Sequence, residues 1–109
     1  PPYIMPHPNA YCAAVNFLTG YAPGGLVQAV QQLTGRPARW LGLERRGTLA
    51  EGNWADITVF TPDALRTNES FCEPRSFPSG IRHVLVNGGC AVEEGQSTSA
   101  RTGAVLRRR

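Results

Sequence analysis

Hydrophobic and polar positions along the chain follow one period up to about residue 43 and another beyond it. Residues 1–9 hold four prolines, each of which fixes φ and restrains its neighbour, so they predict an irregular opening loop. Tyr11, Ala14, Val15 and Leu18 then recur as one helical face, which predicts a helix over about 10–18 that Gly20 stops. In LVQAVQQLTGRPARWLGL, Leu26, Val27, Val30 and Leu33 form an apolar stripe opposite Gln28, Gln31 and Gln32. A second helix is expected over about 25–34, ended by Gly35. Arg36 and Pro37 should start a short third turn of helix, since proline suits a first helical position. Ala38, Trp40 and Leu41 are expected to pack that turn on the helix before it.

Past Leu43 the pattern shortens to strands. Ile57, Val59 and Phe60 make a β-branched and aromatic run that Pro62 closes. Residues 81–96, IRHVLVNGGCAVEEGQ, read as a hairpin: a run from Ile81 to Val86, an Asn87-Gly88 pair, and a second run from Cys90 to Val92. Ile81, His83 and Leu85 share one strand face, with Arg82, Val84 and Val86 on the other. Residues 61–80, rich in Pro, Asn, Ser and acidic side chains, read as a long surface crossover, and the tail from Gln96 reads as polar, then basic. The fold class is α+β, and about four short strands are too few to bury both faces of a sheet unaided.

Length and composition narrow the picture without deciding it. A chain of 109 residues holds one modest core, and 41% hydrophobic against 17% charged residues suits a folded, loop-rich polypeptide. No apolar run approaches the roughly 18 residues needed to cross a bilayer, so no membrane partner is expected. The net charge of +3 comes entirely from the terminal Arg107, Arg108 and Arg109; without them 8 basic residues face 8 acidic ones. A terminal tail is not a basic face, and nucleic-acid binding is not expected. Cys12, Cys72 and Cys90 are odd in number and widely spaced, which argues against a zinc knuckle or a disulfide framework and for reduced thiols in a cytoplasmic compartment. The chain starts Pro1-Pro2 with no initiator Met and is expected to be part of a longer polypeptide.

Four stretches carry a resemblance. GTLAEGNWADITVF (47–60) is similar to a G-x-L-x-x-G-x-x-A-D signature near the C-terminus of amidohydrolase-superfamily enzymes. With PHPNAY (6–11), GIRHVLVNG (80–88) and TGAVLRRR (102–109) in that order, the chain resembles the C-terminal segment of an N-acyl-D-amino-acid deacylase, or D-aminoacylase. The resemblance implies that 1–43 supply the last helices of a TIM-type (β/α)8 metal-dependent hydrolase barrel. It likewise implies that 44–109 supply the C-terminal half of a composite β-sandwich and a basic tail. The partner would be the N-terminal remainder of the same enzyme, a bacterial one, and the substrate a small N-acyl amino acid.

The same resemblance implies zinc in the parent enzyme. Amide hydrolysis there needs a Lewis acid to polarise the carbonyl and activate water, with a carboxylate to shuttle the proton. The family's ligands, an His-x-His pair, a Cys, further histidines and an Asp ahead of the His-Pro stretch, are not matched in this chain. No catalytic residue and no metal ligand is therefore expected here, and the segment alone should be inactive. His7, Asn9 and Tyr11 are expected near the substrate. Asn9 stands where the family usually has an arginine suited to gripping a carboxylate, and its amide can donate a hydrogen bond without a charge. His83 reads as a surface or interface residue, Asp56 as a turn or capping carboxylate, and Trp40 and Trp54 as apolar anchors between helices and sheet. Two other readings remain at this point. One is a non-catalytic interaction module that pairs through its strand edges, or with itself. The other is a segment of a cyclic amidohydrolase resembling dihydroorotases or hydantoinases.

Overall fold

The computed structural model describes residues 6–21, 23–68, 70 and 72–107. Pro1 to Met5 of the opening loop, and Arg108 and Arg109 of the basic tail, lie outside them. Three helices come first: α1 (Asn9–Gly20), α2 (Leu26–Leu33) and α3 (Gly35–Leu41). Four strands follow: β1 (Ile57–Phe60), β2 (Ile81–Val86), β3 (Gly89–Glu93) and β4 (Gln96–Ser97). They form one antiparallel sheet in the order β1-β2-β3-β4.

The helices start and stop for local reasons. Pro8 precedes the first turn of α1, where its missing N–H costs nothing. Gly25 opens α2 at φ 85. Thr34, at φ −125 and ψ −81, breaks the helical path, so Gly35 begins α3 rather than merely ending α2. Gly42 closes α3 in the left-handed region, its N–H donating to the carbonyls of Ala38 and Arg39. Of the residues expected to pack α3, Ala38 is buried, but Trp40 is 85% exposed and Leu41 is exposed too. Trp40 therefore anchors nothing among the described residues.

Among the described residues the buried hydrophobic ones are Cys12, Val15, Ala29, Ala38 and Leu65, mostly small and none of them in a strand. Among the described residues the strands reach only intermediate burial. The accessible surface is 8378 Å², whereas a compact monomer of this mass exposes about 5,900 Å². The Cα radius of gyration is 15.1 Å, against about 13 Å for a compact chain of this length. The loop between α3 and β1 packs back on the helices at Gly47, φ 79, where a Cβ would lie 2.5 Å from that of Ala38 and 2.8 Å from the Thr34 carbonyl oxygen.

The crossover between β1 and β2 is more ordered than its composition predicts. After a 3-10 turn at Pro62–Ala64, Leu65 is buried, and Arg66 pairs with Ser79 to close the base of a lobe. The polar tail likewise contributes β4, which pairs with β3 across a turn at Glu94 and Gly95.

Candidate functional site

Two constellations bring together the residues singled out by the sequence. The first lies at the start of α1. The Asn9 N–H donates to His7 Nδ1 at 3.2 Å, so His7 satisfies one of the amides that the first helical turn leaves open. That bond requires Nδ1 to be unprotonated, which in a neutral ring puts the proton on Nε2. The Asn9 side-chain oxygen accepts from Asn16 Nδ2 at 3.3 Å. Tyr11 meets Phe77 of the crossover lobe edge to face, with ring centroids 5.6 Å apart, and Cys12 Sγ, fully buried, donates to the Ser76 carbonyl. The lobe thus seats against the turn that carries His7, Asn9 and Tyr11. Phe77, 73% exposed, was not visible as a neighbour of this stretch, since 66 positions separate it from Tyr11 and no period links them.

The second constellation is a polar clasp on the sheet. Asp56 accepts from the Arg46 guanidinium with one oxygen and from the Asn87 backbone N–H, at 2.8 Å, with the other. Arg46 Nη2 also donates to Asn87 Oδ1 at 2.8 Å, and Asn87 Nδ2 donates to the Thr102 carbonyl at 2.7 Å. The Gly88 N–H donates to the Ala55 carbonyl, and Thr102 Oγ1 to that of Val86. The Ala-Asp pair of one motif therefore holds the Asn-Gly turn of another, across 31 positions. Trp54 lies beneath both Arg45 and Arg46, at 5.3 and 5.2 Å from its ring centroid, which braces the guanidinium that makes the clasp. Asp56 is the turn carboxylate its sequence context predicts. The sequence assigns no role to Arg46 or Thr102, although a pair of arginines stands just before the glycine motif and Thr102 opens the TGAVLRRR stretch.

His83 stays away from both groups. Its Nε2 lies 3.2 Å from Glu94, which also receives Arg82. The hydrogen bond from Arg82, with its charge and that of His83, holds the Glu94 carboxyl below the usual carboxylate range against the opposing effect of burial. Among the described residues no group of three or more His, Cys, Asp or Glu could hold a metal ion. The hydrogen bonds of the two constellations hold loops and a helix start in place.

Residues 25–92 match the amidohydrolase family. The chain belongs to that family. It is 40% identical to an N-acyl-D-glutamate deacylase of Alcaligenes xylosoxydans xylosoxydans over 107 residues, covering 94% of this chain and 22% of the relative. A D-aminoacylase of the same organism is 35% identical over the same length, again with 22% of the relative covered. This amidohydrolase chain thus spans about a fifth of the curated relatives it matches. Its fold superposes on a crystal structure of D-aminoacylase with a TM-score of 0.89 at 33% identity, covering 94% of this chain and 23% of the other. It also matches an N-acyl-D-glutamate deacylase from Bordetella bronchiseptica complexed with zinc and a phosphonate inhibitor, with a TM-score of 0.70 at 33% identity over 84% of this chain and 21% of that one. A binuclear metal centre is described for D-aminoacylase itself.

Proposed function

We propose that this chain is the C-terminal part of a zinc-dependent amidohydrolase that cleaves the amide bond of N-acyl-D-amino acids. One observation carries the reading: the 94% coverage of this chain corresponds to only 22% of a deacylase to which it is 40% identical. In that enzyme 1–43 would complete the metal-dependent barrel and 44–109 the composite sandwich. The zinc would be held by the preceding residues, where it polarises the amide carbonyl and supplies an activated water. No step through a metal falls to the residues described here. Their work is positional: His7 caps α1, the 66–79 lobe backs Tyr11, and the turn so fixed offers Asn9 to the substrate as an uncharged hydrogen-bond donor.

The surface supports this reading over a free-standing module. The chain exposes about 2,500 Å² more than a compact protein of its mass, several times the roughly 800 Å² that one partner contributes to a standard interface. The excess includes Val27, Trp40 and Leu41, which a self-sufficient domain would replace with polar residues. The test is to express the longest reading frame that carries this sequence, and this chain alone, and assay both on N-acetyl-D-glutamate with zinc. Hydrolysis by the long form and none by the short one is expected. A long form without hydrolase activity, or a short chain that sediments as a compact monomer, would sink the proposal.

A further inference from the structure

The Asn87-Gly88 turn of the β2-β3 hairpin is also a reactive dipeptide. An asparagine followed by glycine can cyclise, because no side chain shields the glycine nitrogen. The Gly88 nitrogen attacks Asn87 Cγ and loses its proton to solvent. The new N–Cγ bond closes a succinimide as the Cγ–Nδ2 bond breaks, and the departing nitrogen takes a proton from water and leaves as ammonia. Water then opens the ring at either carbonyl, giving aspartate or isoaspartate. The other asparagines, Asn9, Asn16, Asn53 and Asn68, precede Ala, Phe, Trp and Glu, which hinder the same attack. Gly88 is exposed and Asn87 half-buried, so water reaches both.

Every atom that must move is nonetheless occupied. The nucleophile's N–H is given to the Ala55 carbonyl at 2.9 Å. The amide to be attacked is held at its oxygen by Arg46 and at its nitrogen by Thr102, and the Asn87 N–H is held by Asp56. Asn87 at φ 48 and Gly88 at φ 85 fix the turn with both residues in the left-handed region. Gly89 then presses on Thr102, where a Cβ would fall 2.4 Å from the methyl carbon, so the C-terminal segment lies tight against the turn it closes.

We propose that Asn87-Gly88 is a latent deamidation site that the Arg46, Asp56 and Thr102 clasp holds shut, and that release of the C-terminal segment frees it to cyclise. The product reinforces the release. A carboxylate at position 87 has no N–H to give the Thr102 carbonyl, and isoaspartate adds a methylene to the turn backbone. Once position 87 is modified, the tail loses one of its ties to the hairpin, and the bond from the Thr102 hydroxyl to the Val86 carbonyl is what remains at the turn. The inference stands whether or not the chain belongs to a longer hydrolase.

The experiment incubates the full chain in native buffer and in concentrated urea at mildly alkaline pH. Peptide mass mapping follows aspartate and isoaspartate at position 87, with the other asparagines as internal controls. Two variants are run beside it, Arg46→Lys and a chain ending at Ala100, with hydrogen exchange of the β2 and β3 amides reporting whether each remains folded. Deamidation in native buffer is expected to be slower than in urea by on the order of 30-fold, since two side-chain hydrogen bonds, one of them charge-assisted, must open first. Each variant is expected to recover about tenfold of that rate while its strand amides stay protected. Equal rates in native buffer and urea would overturn the proposal, as would folded variants that deamidate no faster than the parent chain. If a variant loses its strand protection, the native-to-urea ratio of the parent chain decides.

Discussion

The helical segment and the sheet are held together by different means. Among the described residues, helices α1 to α3 supply four of the five buried hydrophobic side chains, Cys12, Val15, Ala29 and Ala38, yet leave Leu26, Val27, Leu33, Trp40 and Leu41 exposed. The sheet supplies none of the buried residues and is secured instead by its ladder and by the clasp around Asp56 and Asn87. Small buried residues let helices approach closely but remove little apolar area from water, while directional polar bonds fix geometry without needing a core. The helices thus have contact without much burial, and the sheet has register without burial. Both regions leave apolar surface open to water.

The largest effect is expected where the loop ahead of β1 packs on the helices. Gly47→Ala forces a left-handed φ on a residue with a Cβ and drives that carbon into Ala38 and the Thr34 carbonyl; a loss of about 3 kcal/mol is expected. Urea unfolding followed separately on helical and sheet amides should then split into two transitions. Asp56→Ala acts on the sheet alone. It leaves the Asn87 N–H without its acceptor and Arg46 with only Asn87 Oδ1, for about 2 kcal/mol, and hydrogen exchange should show deprotection at the 87–88 turn with α2 and α3 unchanged.

The helical surface should answer in the opposite way. Val27→Ser with Trp40→Ser is expected to change the chain's own stability by less than about 0.5 kcal/mol, because both side chains are more than four-fifths exposed. Self-association of the isolated chain, followed by sedimentation, should fall; unchanged association would move the sticky surface to the sheet. The smallest effect is one of pH. Glu94 has a depressed folded pKa, so its contribution is complete above the ordinary carboxylate range of the unfolded chain and is lost as pH falls through the lower folded value. Because the group is exposed, the change should register as local loosening of the β3-β4 turn in NMR shifts, absent in Glu94→Gln, without global unfolding.

Much of this was legible because the signals are local. The runs Ile57 to Phe60 and Ile81 to Val86, and the turn at Asn87 and Gly88, follow from β-branched content and left-handed φ, which neighbouring residues decide by themselves. The start of α3 was less legible, since Gly35 serves as its first residue only because Thr34 breaks the path. β4 was hidden in a polar tail because its pairing with β3, not its own composition, makes it a strand. In the candidate site, His7, Asn9 and Tyr11 could be named from one motif. Phe77, Ser76, Arg46 and Thr102 could not, because each meets its partner across a sequence separation that no periodicity encodes.

Sequence alone determined the order of helices and strands, the hairpin, the family resemblance and the shortage of strands for a closed core. These rest on short-range backbone preferences and on motifs read in a line. Tertiary structure decided that the Ala-Asp and Asn-Gly motifs are two halves of one clasp, and that the crossover is a lobe seated on the His7 turn. It also decided that Trp40 faces outward. Those outcomes depend on which distant groups come within bonding distance, a property of the packed chain and not of any window along it.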